Sequence, residues 1–308
     1  MSGDAVRLRE ATREDVDKIT TRLKNYLPES SLIYGTIMAL KAYEKMWDLL
    51  GTQIYYSDHS SLVVGTPSLY KHRNQSLYLF WDHNKEDDQE IIHLLSNIPS
   101  IDWSKPLFLS QVPWNLLKKM ENFLTSGLLG NGLRKRDEPN VLHLYWMTSV
   151  PDIETKLPDG YELRDLNEEH AKFILDHWEY KHTTSLDRYR CMRKIIPAIG
   201  VFKTGCASKG NGEDLTQDNS VNLNTTDYPI AWAQLSFLNL YTHTFTIPEY
   251  RRQGLAAVAT LALAKKSLEN TGVALSTIFP HNEISVKMHL KLGFVRLFDV
   301  GDQHYFSP

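Results

Sequence analysis

The stretch "PEYRRQGLAAVATLALAKK", Pro248 to Lys266, places a Pro-Glu-Tyr turn, two arginines and a glycine ahead of the most apolar helical run in the chain. Before it, "LYTHTFTI", Leu240 to Ile247, alternates as a strand does. Pro248 ends that strand, since proline cannot donate to a ladder. Ala256, Ala257, Ala259, Ala262 and Ala264 are strong helix formers, and Thr271-Gly272 supplies a C-terminal stop. A strand, a glycine turn and a helix in this order leave backbone N–H groups free at the helix N-terminus, where the dipole favours an anion. Gly254 lets a phosphate approach bare backbone, and Arg251 and Arg252 add charge-assisted contacts to its oxygens.

Working outward, a strand, "VALSTIFP", follows the helix, and then a second helix, "NEISVKMHLKLGF", opening at Asn282 and closing at Gly293-Phe294. Together, "TIPEYRRQGLA" and "HNEISVKMHLKLGF" resemble the acyl-CoA-binding core of the GNAT N-acyltransferase superfamily. Arg251, Gly254, Ala256, Asn282, Gly293 and Phe294 fill the motif positions. Within the superfamily the chain is most similar to the glycine N-acyltransferases, through "TIPEYRRQGL" and through "LPESSLIYGTI", Leu27 to Ile37, with "AWAQLSF" and its Trp232 on the preceding strand. The resemblance implies acyl transfer from acyl-CoA, acetyl-CoA or longer, to a small-molecule amine, glycine or another amino acid. It implies that Arg251, Arg252, Gln253, Gly254, Leu255 and Ala256 cradle the pyrophosphate, with Asn282 a further contact or only a helix cap. It also implies that the backbone of Phe245, Thr246 and Ile247 pairs with the pantetheine arm like an added strand, and that an N–H near Phe245 polarises the thioester carbonyl.

The catalytic positions depart from that pattern. The family's strand glutamate, the general base, falls on Leu240, which cannot accept a proton. His243 lies on the same strand at the opposite parity, and is either structural or a substitute base. The tyrosine that many GNAT enzymes carry on the last helix is replaced by His289, which can exchange a proton near neutral pH. Ile284, Met288 and Leu292 are expected to face the core from this helix, with His289 beside them.

The 308 residues favour two domains. "VRLREATREDVDKI", Val6 to Ile19, and "YELRDLNEEHAKFI", Tyr161 to Ile174, match at Leu8/Leu163, Arg9/Arg164 and Ile19/Ile174, each reading as strand, N-cap (Thr12 or Asn167) and acidic helical turn. The expected fold is a mixed α/β sheet in two tandem GNAT-like domains, 1–150 and 151–308, joined through "PDIETKLPDG". At the corresponding junction the first half carries "LFWDHNKEDDQEII". Glu86, Asp87 and Asp88 there satisfy the helix dipole themselves and would repel a pyrophosphate, so the first half reads as a degenerate copy. The polar stretch Gly205 to Asp227 reads as a long excursion between strands, either a substrate-side lid or a solvated insertion.

Net charge is −3, from 34 basic and 37 acidic residues, which argues against a nucleic-acid partner. Cys191 and Cys206 form no framework, and the twelve histidines form no ligand spacing, so no metal is expected. No apolar run approaches a membrane span, and the acidic N-terminal stretch resembles neither a secretory signal nor a mitochondrial presequence. A cytoplasmic location is expected, although the family resemblance also allows a mitochondrial one. Three readings stay open: a small-amine N-acyltransferase, a protein or peptide N-acetyltransferase, and an inactive acyl-CoA-binding pseudoenzyme.

Overall fold

The computed structural model describes residues 7–67, 75–153, 155–204 and 227–307. The excursion from Gly205 and the second cysteine, Cys206, therefore lie outside the described residues, apart from Asp227. The chain divides into two compact units. One comprises Met1–Trp146, Leu275–Lys287 and Val295–Pro308, and the other Met147–Ala274 and Met288–Phe294.

The first unit opens with β1 (Arg9–Glu10), α1 (Val16–Leu23), α2 (Ser31–Ala42) and α3 (Glu44–Leu50). Thr12 begins this run as expected: its backbone N–H and its hydroxyl both donate to Asp15, at 2.9 and 3.0 Å. Strands β2 (Gln53–Tyr56), β3 (Val63–Thr66) and β4 (Gln75–Phe80) follow, then α4 (Asp88–Ser96), β5 (Leu107–Pro113), α5 (Trp114–Thr125), β6 (Arg134–Lys135) and β7 (Asn140–Met147). The second unit repeats the opening order with β8 (Tyr161–Asp165), α6 (Ala171–Asp176), α7 (Leu186–Arg193), β9 (Ala198–Lys203), β10 (Ala231–Leu235), β11 (Leu240–Thr246) and α8 (Leu255–Thr271). The chain ends with β12 (Ala274–Ile278), α9 (Glu283–Lys291) and β13 (Val295–Phe306).

The internal repeat suggested by the two strand-and-cap segments is visible in the pairing. β1 to β4 form an antiparallel series, and so do β8 to β11. In the first unit β4 then pairs parallel to β5, and the order continues β5-β13-β7-β12. The closing strand β13 is one twelve-residue strand, with irregularities at Arg296/Asp299 against β7 and at Gly301/Gln303 against β5. These bulges let a long strand follow the sheet twist without breaking. Asn167 is not the N-cap of helix α6, although the sequence suggests it. Asn167 accepts from the Glu169 N–H at 2.9 Å and heads a turn, and the helix starts only at Ala171.

The helices that follow the fourth strand of each series differ at their N-termini. In α4, Asp87 adopts an extended N-cap conformation and its carboxylate accepts from the N–H groups of Gln89 and Glu90, at 2.9 and 3.2 Å. Glu86 turns away to accept from the Ser61 N–H and hydroxyl at 2.6 and 2.7 Å, and Asp88 pairs with Lys119 at 2.5 Å. A protein carboxylate thus occupies the anion position of this helix, as the run of acids predicts. A cavity of about 270 Å³ opens beside the same loop, lined in part by Tyr26, Trp81 and Lys85. The cation there is already engaged, since Lys85 pairs with Asp82 at 3.0 Å.

Replacing Asp87 by Ala leaves two amide donors of α4 without a partner. The expected loss is about 1 kcal/mol of unfolding free energy, read as a lower urea midpoint at unchanged slope.

Candidate functional site

The candidate site of the second unit begins at the turn between β11 and α8. Pro248–Tyr250 form one turn of 3₁₀ helix, with proline at its start, and the Tyr250 N–H bonds the Ile247 carbonyl at 2.9 Å. Two left-handed residues follow, Arg252 at φ +65° and Gly254 at φ +76°. Gly254 is the N-cap of α8, and no side chain caps the helix there. The amides of the first helical turn have no partner within the helix itself. A Cβ built on Gly254 would meet nothing within 4 Å, so the space beside the glycine is open. Open, uncapped amides beside a positive-φ glycine fit an anion such as a pyrophosphate, and Arg251 to Gly254 are all exposed to receive one.

Neighbouring side chains hold the turn in place. The Arg251 Nε donates to the Thr246 carbonyl at 3.1 Å, and its guanidinium lies 5.6 Å from the centre of the Phe245 ring. Gln253 accepts from the Tyr161 hydroxyl at 3.1 Å. Behind the turn, Leu255 and Ala259 of α8 are almost fully buried, so the helix start is anchored in a packed core. Small residues such as Ala259, Ala264 and Ser267 bring the helix close to β9, β10 and β11. The helix closes at Gly272, left-handed at φ +75°, whose N–H bonds the Leu268 carbonyl at 3.0 Å.

Strand β11 is bulged. Thr242 faces Gln234 and Phe245 faces Trp232, so His243 and Thr244 together oppose the single residue Ala233. His243 carries the bulge at φ +46°. This breaks the alternation that the parity argument assumed. Tyr241 donates its hydroxyl to the Thr260 carbonyl of α8 at 3.4 Å, whereas His243 joins an aromatic cluster with α6 and the segment after it. Its ring stacks on Trp178 at 5.7 Å and meets Trp232 edge-on at 5.5 Å and Phe245 at 5.9 Å. His177 closes the cluster at 5.9 Å from Trp232, its Nδ1 against the Phe173 carbonyl at 2.8 Å.

The three backbone positions expected to meet the pantetheine arm are not equivalent. The Ile247 N–H already donates to the Ile230 carbonyl at 2.9 Å, its carbonyl accepts from Tyr250, and its side chain is buried. With Ile247 bonded toward β10, strand alternation turns the backbone of Phe245 the same way and that of Thr246 the other way. Of the three consecutive residues, Thr246 is therefore the one whose backbone is directed away from β10.

His243 and His289 are not brought into one cluster. His289 is 2% exposed and packs edge-on against Tyr241 at 6.4 Å and Phe294 at 5.0 Å. The expected inner face of α9 is also corrected. Ile284 is 84% exposed, and the helix instead buries His289, with Leu292 just beyond its end. The imidazole takes the core position that the periodicity gave to the apolar residues. Asn282 caps α9, accepting from the Ser285 N–H at 3.2 Å, and it belongs to the first unit. Leu240, at the family's base position, is buried and carries no titratable group.

Electrostatically, the cluster is a place where charge is disfavoured. Burial pushes the His243 imidazole down to about 3. The His177 backbone, polar but outside bonding geometry, opposes this, and the His177 ring and Arg193 add to it. Both His243 ring nitrogens and the Trp232 indole nitrogen are buried without a hydrogen-bond partner among the described residues. The helix start therefore suits an anion, and the aromatic cluster suits a neutral group. No group of three or more potential metal ligands occurs among the described residues, and none of their helices is long and apolar enough to cross a membrane.

A Drosophila protein of 16% identity superposes at a TM-score of 0.70, over 99% of each chain. A tandem GNAT protein from the clavulanic acid biosynthesis pathway matches at 11% identity and a TM-score of 0.51, over 98% of this chain and 99% of that one. A GCN5-related N-acetyltransferase from Sphaerobacter thermophilus matches at 8% identity and 0.52, over 100% and 98%. No protein-family model and no curated protein matches the sequence. At these identities the likeness shows the fold, and the fold is the tandem GNAT fold.

The depressed His243 pKa carries a sign for stability. Unfolded, the imidazole titrates near its ordinary 6.5; folded, it stays neutral to about 3. Its contribution is fully present above about pH 6.5 and is lost as pH falls toward 3. Between pH 6.5 and 4.5 the loss attributable to His243 is on the order of 2 kcal/mol. Urea unfolding of His243→Phe at the two pH values should show a correspondingly shallower loss than the parent chain.

Proposed function

We propose that the second unit transfers an acyl group from acyl-CoA to the amine of a small acceptor, glycine or another amino acid. The observation that carries this reading is the exposed, uncapped start of α8 at left-handed Gly254, directly after the bulged β11. The residues we assign to CoA are Thr246, Arg251, Arg252, Gln253, Gly254, Leu255 and Ala256, through amides and cations that suit a pyrophosphate. For Asn282 the helix-capping bond accounts for the residue without a ligand contact. The first unit, whose equivalent helix start is filled by Asp87, is assigned no CoA. The resemblance in sequence makes a cytoplasmic location, with a small molecule as the second substrate, part of the same reading.

In this reaction the amine lone pair attacks the thioester carbonyl carbon, the C–S bond breaks, and CoA leaves as the thiolate. The Thr246 amide is the candidate donor to the carbonyl oxygen. His243, neutral and weakly basic, suits the role of accepting a hydrogen bond from the amine and orienting it. The excess proton then passes to water rather than to a strong protein base. His289, packed against Tyr241 and Phe294, is the candidate acid for the departing thiolate.

Two experiments test this. Thiol release should be seen when acetyl-CoA or longer acyl-CoAs are mixed with a panel of small amines and amino acids. CoA binding without release above background for any amine would leave the pseudoenzyme reading, and release only with basic peptides would leave the protein acetyltransferase. Second, Gly254→Asp places a carboxylate at the phosphate position in otherwise open space. CoA affinity should fall by at least ~10-fold relative to Gly254→Ala, which shares the positive-φ strain of about 1 kcal/mol but adds no charge. Equal affinities in the two variants would remove the turn from the site.

A further inference from the structure

Strand β8, "YELRD", is the outermost strand of the second unit's antiparallel series and pairs on one side only, with β9. Its register runs from Tyr161 opposite Lys203 to Asp165 opposite Ile199. The bonds just beyond each end fix which way the backbone points. The Thr204 N–H donates to the Gly160 carbonyl, and the Leu166 N–H to the Ala198 carbonyl, both at 2.9 Å. Backbone direction alternates along an antiparallel strand, so Glu162 and Arg164 face β9 together with Gly160 and Leu166. The N–H and C=O groups of Tyr161, Leu163 and Asp165 face outward, and none of them has a hydrogen-bond partner among the described residues.

An open row of this kind is a template for another strand, and proteins ordinarily blunt it with brevity, proline, a bulge or charge. β1, the outer strand of the first unit, is blunted by its length of two residues. β8 has five residues, an unbroken register and no proline. It also shows an aliphatic side chain to solvent, Leu163 at 38% exposure. The strand's two faces differ. On the face toward α8, the Tyr161 hydroxyl bonds Gln253 and Asp165 accepts from Lys266 at 2.6 Å, with Leu163 between them in sequence. On the other face Glu162 and Arg164 are paired at 3.3 Å, and the guanidinium lies over the Phe202 ring. The outward-facing edge thus carries one acid and one base in fixed order on the same face.

These charges choose the partner. When β8 pairs antiparallel with β8 of a second copy, outward backbone must meet outward backbone, so the two-fold axis passes through a residue. An axis at Glu162 sets two glutamates opposite each other, one at Arg164 two arginines, and one at Asp165 two aspartates. An axis at Leu163 sets each Glu162 opposite Arg164 of the second copy, at the non-hydrogen-bonded sites where side chains approach most closely. The same register puts Leu163 against Leu163 and, on either side of it, Tyr161 against Asp165. Those are three residue pairs that exchange two hydrogen bonds each. We infer that β8 is a self-complementary interaction surface, by which two copies of this chain associate as a two-fold dimer with a continuous sheet. The dimer adjoins the candidate site, because Tyr161 holds Gln253 of the turn before α8. It does not depend on acyl transfer.

Sedimentation equilibrium of the full chain should show a reversible monomer–dimer equilibrium. One strand pair buries less than a standard interface of ~1,600 Å², so a micromolar Kd is expected. Leu163→Pro leaves the ladder to β9 intact, because the N–H it removes points outward, and it deletes the two central bonds of the pairing. It should weaken the dimer by at least ~10-fold with the far-UV circular dichroism unchanged. Glu162→Arg and Arg164→Glu should each weaken self-association through like charges across the axis. An equimolar mixture of those two variants should form a heterodimer, since each acid then meets a base again. Amide exchange at Leu163 that slows as the parent concentration rises reports the same contact without any substitution, and serves if a variant does not fold. A parent chain that stays monomeric, as it would if another segment covered β8, overturns the inference. So does a dimer that is equally tight after Leu163→Pro, or folded charge variants that do not recover on mixing.

Discussion

The second unit is organised around a helix start that the protein leaves unsatisfied. At Gly254 the backbone is left-handed, no side chain caps the helix, and the space a Cβ would enter is open. Orphaned amides at a helix terminus are ordinarily answered by a capping side chain. The same position in the first unit is answered in that way, by Asp87. Two helices with the same place in the same strand order thus differ in the sign of what they accept. One is closed by its own carboxylate and the other stays open to a foreign anion. Everything else at the site is aligned by this choice, since the buried body of α8 fixes the direction in which the amides point.

The second organising feature is the bulge in β11. A regular strand would put His243 and Tyr241 on one face. The extra residue at His243 and Thr244 sends Tyr241 toward α8 and His243 into the rings of Trp178, Trp232 and Phe245. Positive φ at a non-glycine residue costs energy and is found where surrounding packing holds it in place. Here the surrounding aromatics do so. They also desolvate the imidazole and make it a weak base. One local distortion therefore sets the direction, the neighbours and the proton affinity of the same side chain.

Much of this was legible in the sequence, and the parts that were not share a cause. The turn, the helix and its stop could be read because their signals are local: Pro248, Gly254, the alanine run and Gly272. The acidic closure of α4 could be read for the same reason. The bulge could not, because an extra residue in a strand leaves no mark in an alternating pattern. The parity assigned to His243 was displaced accordingly. On α9 the periodicity favoured Ile284, but the core accepted His289, whose partners Tyr241 and Phe294 are brought to it by other elements.

In the proposed reaction, the proton economy of the site follows from Leu240 and His243 together. A carboxylate on the strand would take the amine proton directly, but Leu240 is buried and inert. A histidine with an ordinary pKa could replace it, but His243 is held neutral to about 3 and is far too weak a base to remove a proton from an ammonium ion. What such an imidazole can do is discriminate. Beside a desolvated aromatic cluster a charged ammonium would pay the same penalty that depresses the histidine, so a neutral amine would bind at lower cost and find an acceptor for its N–H. On the proposed reaction, activation by deprotonation would be replaced by selection of the neutral form, with the proton left in solvent before the amine is seated. A site built this way would trade a catalytic base for a desolvated, oriented nucleophile.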